Sequence, residues 1–147
     1  MQMLKAVLVD DELSSLQNLQ LKIQEYCPSI KIVAQTQRPE EAVGLILRHK
    51  PDVIFLDVEM PRMSGFKMLE QIPDIDFEII FITAYNHYAI NAIRISAFDY
   101  LVKPVAIEDL QQTIGRLEHF SVKKSRERAE VLKKNLANPK TQEDLIT

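Results

Sequence analysis

Three short apolar runs constrain this chain more than any other feature: Ala6-Val7-Leu8-Val9, Val53-Ile54-Phe55-Leu56 and Ile79-Ile80-Phe81-Ile82. They are continuous rather than alternating, and they are rich in β-branched residues. That pattern suits strands buried on both faces, as in a parallel sheet with helices on each side. Ile30-Lys31-Ile32-Val33-Ala34 reads as a weaker strand. Phe98-Asp99-Tyr100-Leu101-Val102 reads as a fifth, and its mixed polarity suits an edge.

Helical patterns lie between the runs. Leu13, Leu16, Leu19 and Ile23 fall near one face of a helix beginning close to Asp11. Pro39 opens the next helix, and Glu40 and Glu41 follow where negative charge meets the positive end of the dipole. Arg48 and Lys50 sit at its far end, and Pro51 stops it. Ser64 is an expected N-cap for a short helix carrying Met68, Leu69 and Ile72. Asn86 is placed to cap a fourth helix. The last helix spaces Ile107, Leu110, Ile114 and Leu117 for one amphipathic face.

Strand and helix thus alternate five times, which implies right-handed crossovers and a parallel sheet covered on both sides. Five strands within residues 1–120 match the flavodoxin-like doubly wound α/β class, with strand order 2-1-3-4-5. A chain of 147 residues with 46% hydrophobic content can fill one such core but not two domains of usual size. Charge divides the chain near Phe120. Residues 1–120 hold 11 Lys and Arg against 17 Asp and Glu, whereas residues 121–147 hold 7 against 4. The expected organisation is a domain at 1–120 followed by a basic linker or helical extension at 121–147. Val122, Ala129, Leu132 and Leu136 offer a thin apolar stripe there, and Asn138-Pro139 breaks it. No apolar run approaches a membrane helix. No secretory signal is read at the N-terminus, so a soluble cytoplasmic protein is expected. The lone Cys27 excludes an internal disulfide, and no Cys/His cluster suggests zinc. The only glycines are Gly44, Gly65 and Gly115, so neither a phosphate-binding P-loop nor a dinucleotide turn is present.

The chemistry lies at the strand ends. The first strand ends in Asp10-Asp11, the third in Asp57, the fourth in Thr83-Ala84 and the fifth in Lys103-Pro104. In this fold class, ligands bind outside the carboxyl ends of the strands. Taken singly, Asp10-Asp11 reads as a helix cap, Thr83 as an ordinary strand-end hydroxyl and Lys103 as a surface lysine. Taken jointly, three carboxylates, a hydroxyl and an ammonium converge on one rim. Packed carboxylates repel, and a divalent cation compensates them. Oxygen ligands favour Mg²⁺, Mn²⁺ or Ca²⁺ over zinc, and a site that keeps waters suits Mg²⁺. A carboxylate opposite a lysine has the chemistry of a phosphoryl acceptor.

These residues resemble the response-regulator receiver domain of two-component signalling. The resemblance rests on Val9-Asp10-Asp11-Glu12, on residues 55–65 (Phe55-Leu56-Asp57-Val58-Glu59-Met60-Pro61-Arg62-Met63-Ser64-Gly65), on Ile82-Thr83-Ala84-Tyr85 and on residues 98–104, and it covers residues 4–120. It implies Asp57 as phosphoacceptor. It implies Asp11 as a direct Mg²⁺ ligand, Asp10 as holder of a metal-bound water, and the Glu59 backbone carbonyl as a further ligand beside Asp57. Lys103 would pair with the acceptor and then the phosphate, and Thr83 and the Ala84 amide would contact phosphate oxygens. Thr83 and Tyr100 match the family's switch pair, with Tyr100 turning inward as the Thr moves. Glu59 and Tyr85 match the positions that tune access to the aspartate. Pro104 matches a family cis Lys-Pro bond, although trans is the commoner isomer of an X–Pro bond.

Thr83-Ala84-Tyr85 followed by Tyr88-Ala89 and Ala92-Ile93 resembles receivers that precede a LytTR-type DNA-binding domain. The resemblance then implies a sensor histidine kinase as phosphodonor and homodimer formation on phosphorylation. DNA would be engaged only through an effector domain lying after the basic tail. The chain would act as a switch and not as a classical enzyme. A stand-alone receiver working by protein–protein contact is the alternative. An Asp-nucleophile phosphatase of the haloacid-dehalogenase type ranks below both. It places its nucleophile after the first strand, where this chain has Asp10-Asp11-Glu12-Leu13.

Overall fold

A computed structural model describes residues 3–84 and 96–136. Five strands, β1 (Leu4–Val9), β2 (Ile30–Thr36), β3 (Val53–Leu56), β4 (Glu78–Thr83) and β5 (Asp99–Val102), form one parallel sheet in the order β2-β1-β3-β4-β5. The fold expected from the three apolar runs is therefore present. The mixed-polarity β5 is an edge strand, as expected, and β2 is the other. The continuous runs occupy the three inner strands, whose residues must satisfy apolar neighbours above and below. Every residue of β3 is buried.

Alternation along the inner strands divides the core. Val7, Val9, Ile54, Leu56, Ile79 and Phe81 share one cluster with Ala42 and Ile46 of α2 (Pro39–His49) and Met68 and Leu69 of α3 (Gly65–Glu70). Ala6, Leu8, Phe55 and Ile80, also buried, point to the other face. Each Val, Leu, Ile, Phe or Met among them contributes about 1.5–3 kcal/mol when fully buried. Helix α1 (Leu13–Tyr26) buries Leu16, Leu19 and Ile23. Leu13 departs from the expected apolar face: it is 51% exposed, because it opens the helix where no earlier turn covers it.

The predicted helix ends are largely met. Pro39 opens α2, with Glu40 and Glu41 in its first turn and Arg48 in its last. Ser64 caps α3, its hydroxyl accepting from the Lys67 N–H at 3.1 Å. The helix expected from Asn86 lies outside the described residues.

Helix α4 spans Ile107–Leu136. Leu110, Ile114 and Leu117 are buried, as their spacing predicts. Residues 121–136 are helical. No Gly or Pro interrupts that stretch, and Lys, Arg, Glu, Ala and Leu are good helix formers. The chain divides into two compact units, one through Ile114 and one from Gly115, earlier than the composition shift near Phe120. Asn138-Pro139 lies outside the described residues. Among the described residues, no helix is long and apolar enough to cross a membrane.

Candidate functional site

The sheet ladder itself carries the chemical residues to one rim. Just past β1, the Asp10 N–H donates to the Thr36 carbonyl at 3.2 Å. Just past β3, the Asp57 N–H donates to the Val9 carbonyl at 3.0 Å. Just past β5, the Lys103 N–H donates to the Thr83 carbonyl at 2.8 Å. Each bond prolongs parallel pairing by one residue, so strand register fixes where these side chains start. The peptide bond between Lys103 and Pro104 is cis, against the general expectation for X–Pro and in keeping with the family resemblance.

Asp10, Asp57 and Lys103 meet directly. Lys103 Nζ lies 2.7 Å from Asp10 Oδ2 and 3.1 Å from Asp57 Oδ2, and their side chains are 15%, 8% and 5% exposed respectively. The second oxygens bind backbone. Asp10 Oδ1 accepts from the Glu12 N–H at 3.0 Å, and Asp57 Oδ1 accepts from the Glu59 N–H at 3.3 Å. Asp10 therefore does satisfy a donor at the mouth of α1, while the N-cap position itself falls to Glu12, which makes no side-chain cap. Asp11 joins them: one carboxylate oxygen from each of Asp10, Asp11 and Asp57 lies within 4.8 Å of the others.

The ionisation behaviour follows from this crowding. Burial pushes the Asp10 carboxyl up to about 6, outweighing the hydrogen bond from Lys103. Asp11 is also shifted up, by burial first and then by the charges of Asp57 and Glu12. Burial opposes the charge on Lys103, but its hydrogen bond to Asp10 and the charges of Asp10 and Asp57 together hold it above its ordinary value. Three carboxylates against one lysine leave a surplus of negative charge. The donor set is oxygen throughout, which fits a hard divalent cation such as Mg²⁺ or Mn²⁺ better than zinc.

The remaining expected residues fall into place unequally. Thr83 ends β4 and is fully buried, and Ala84 follows it at the exposed rim. Glu59 is exposed, and its backbone N–H binds Asp57. Tyr100 on β5 is half-buried, its ring 6.2 Å from that of Phe81 and tilted by 49°. Tyr85, with Tyr88, Ala89, Ala92 and Ile93, lies outside the described residues.

Gly65 explains how α3 can begin so close to the acids. Its N–H donates to the Val58 carbonyl at 2.7 Å, and a Cβ there would stand 2.5 Å from the Asp57 carbonyl oxygen. Two side chains outside the sequence-based set also reach the loops of the site. Gln37 Nε2 donates to the Asp11 carbonyl at 3.2 Å, and Lys22 Nζ donates to the Val105 carbonyl at 2.6 Å. No motif marks either. A polar loop residue and a mid-helix lysine read as solvated until the loops they hold are placed beside them.

Comparison with known proteins agrees with this geometry. The profile of the family described as response regulator receiver domain matches residues 6–115. The transcriptional regulatory protein BtsR of Escherichia coli (strain K12) is 40% identical over 116 residues, which are 78% of this chain and 48% of that protein. The BtsR of Shigella flexneri matches to the same extent. The chain thus spans about half the length of these relatives. Among solved structures, the REC domain of AraT, a response regulator from Geobacillus stearothermophilus, is similar with a TM-score of 0.73 at 30% identity, covering 84% of this chain and 99% of that one. The response regulatory domain of protein mrkE from Klebsiella pneumoniae gives 0.71 at 27% identity, covering 78% and 95%.

Proposed function

The chain belongs to the response regulator receiver domain family, and from that premise we propose that it accepts a phosphoryl group on Asp57 from a sensor histidine kinase. The observation that carries this reading is the ion pair of Asp57 with Lys103 beside Asp10 and Asp11 at the carboxyl end of the sheet. An oxygen of the Asp57 carboxylate attacks phosphorus as the phosphorus–nitrogen bond of the donor breaks and its electron pair stays on nitrogen. Lys103, already held between two carboxylates, transfers its contact to the arriving phosphoryl oxygens. Thr83 and the Ala84 amide take the remaining oxygens, so that charge is met by fixed donors. Asp11, Asp57 and the Glu59 carbonyl would hold Mg²⁺ directly, with Asp10 acting through water. Bound there, the ion supplies neutralisation of the acids and of the transferring group.

The output follows by analogy with the relatives. BtsR is named a transcriptional regulatory protein; on the sequence resemblance of Thr83-Ala84-Tyr85, Tyr88-Ala89 and Ala92-Ile93 we further propose that this receiver controls a LytTR-type DNA-binding domain in the cytoplasm. In that reading the helical tail would connect the two. Glu59 and Tyr85 tune access to the aspartate, and Thr83 with Tyr100 passes its state onward. The chain is a switch, turned on by phosphorylation and off by hydrolysis.

Intact-mass analysis after incubation with acetyl phosphate and Mg²⁺ tests the reading. Native protein is expected to gain one phosphoryl mass and Asp57→Asn none. A gain of equal size in the Asn variant would place the acceptor elsewhere.

A further inference from the structure

Lys103 works only if its ammonium stays within reach of two carboxylates, yet it opens an irregular segment. The segment leaves the sheet at the Lys103 N–H, bonded to Thr83, and enters α4 where the Leu110 N–H bonds to the Ala106 carbonyl at 3.0 Å. Between these points Pro104 has no N–H to give, so the segment must be anchored through other groups. Its Val105 carbonyl receives Lys22 Nζ at 2.6 Å, across 83 positions of sequence. Lys22 sits within α1, a rigid element that also buries Leu19 and Ile23 on either side of it. Its head is partly buried, and a charged donor makes a stronger bond to a carbonyl than a neutral one. Lys22 and Lys103 line the same cavity of about 500 Å³, together with Ser14, Ser15 and Asn18.

We propose that Lys22 is a positioning residue for Lys103: by holding the Val105 carbonyl against α1, it fixes the segment 103–105 and with it the ammonium that meets Asp57. The inference rests on the reading of Lys103 as the group that receives the phosphoryl oxygens. A loop shift of about 1 Å is enough to lose much of such a contact.

The test compares Lys22→Met, which keeps an apolar stem but removes the donor, with Lys22→Arg, which keeps a cationic donor. The labelling rate with acetyl phosphate and Mg²⁺ is expected to fall about three- to tenfold in the Met variant and to return to within about twofold of native in the Arg variant. Amide exchange at Lys103, Val105 and Ala106 is expected to quicken in Lys22→Met and not in Lys22→Arg. Urea unfolding of each variant separates this effect from a general loss of stability. Native labelling by a Lys22→Met protein that is merely less stable would overturn the inference, as would equal losses in both variants. Should the native chain take no label, the reading of Asp57 as phosphoacceptor falls. The exchange arm still decides whether Lys22 holds the segment, and unchanged exchange in the Met variant overturns it.

Discussion

Asp10 shows what assembling this site costs. Burial raises its carboxyl from an ordinary 3.8 to about 6, so between those values the folded chain binds a proton that the unfolded chain has released. Stability of the metal-free protein therefore falls as pH rises through that window, and the penalty is complete above about pH 6. Asp10→Asn removes the charge and keeps an oxygen for the Glu12 N–H, while Lys103 keeps Asp57. The variant is expected to be about 1–2 kcal/mol more stable than native near neutral pH, the gain fading as pH falls toward about 4. Urea titrations without metal at the two pH values check this. An Asn variant less stable at both would mean that the Lys103 pair outweighs burial. The shift on Lys103 acts only in strongly alkaline solution, where stability is lost as pH rises through its raised value.

The ends of α2 separate what an element shows locally from what it does not. Pro39, Glu40, Glu41 and Arg48 are legible because they answer the helix's own unpaired N–H and C=O groups. The conformation of Lys50 is not. It takes φ 47° and ψ 62°, a left-handed cap usually filled by glycine, with its N–H bonded to Ile46 at 2.9 Å. Lys50 is exposed, so replacing it relieves backbone strain and removes little packing. Lys50→Gly is expected to raise stability by about 0.5–1 kcal/mol. An unchanged denaturant slope with a higher urea midpoint is the expected signature. A lower midpoint would show that the side chain itself supports the cap.

At the scale of the molecule, the proposal requires the state of Asp57 to be felt at the β5 edge. Thr83 is fully buried at the end of β4, and Tyr100 packs half-buried against Phe81 on the adjacent strand. Under that proposal, a phosphoryl group that draws the Thr83 hydroxyl toward it would vacate space for the Tyr100 ring. That would provide a two-state element both ends can bias, with a coupling of about 1–3 kcal/mol sufficient. Beryllofluoride with Mg²⁺ is expected to alter amide exchange over residues 96–104 and to promote self-association in sedimentation, both weakened in Tyr100→Ala. No response in either while Asp57 is demonstrably occupied would reduce Tyr100 to packing.

The sequence by itself determined the class of fold and the roster of acids at the rim. Buried strands announce themselves through continuous apolar runs, and the residue following each run is carried to the same edge by parallel pairing. Asp10, Asp57 and Lys103 are readable for that reason. The tertiary structure decided what depends on proximity between distant segments: the Lys103 pair with both acids, the clash that any Cβ at Gly65 would make with Asp57, and the grips of Gln37 and Lys22 on loops far away in sequence. Periodicity reports whether a residue faces core or solvent. It carries no information about which loop a polar side chain will meet, because that partner is chosen only when the helices settle onto the sheet.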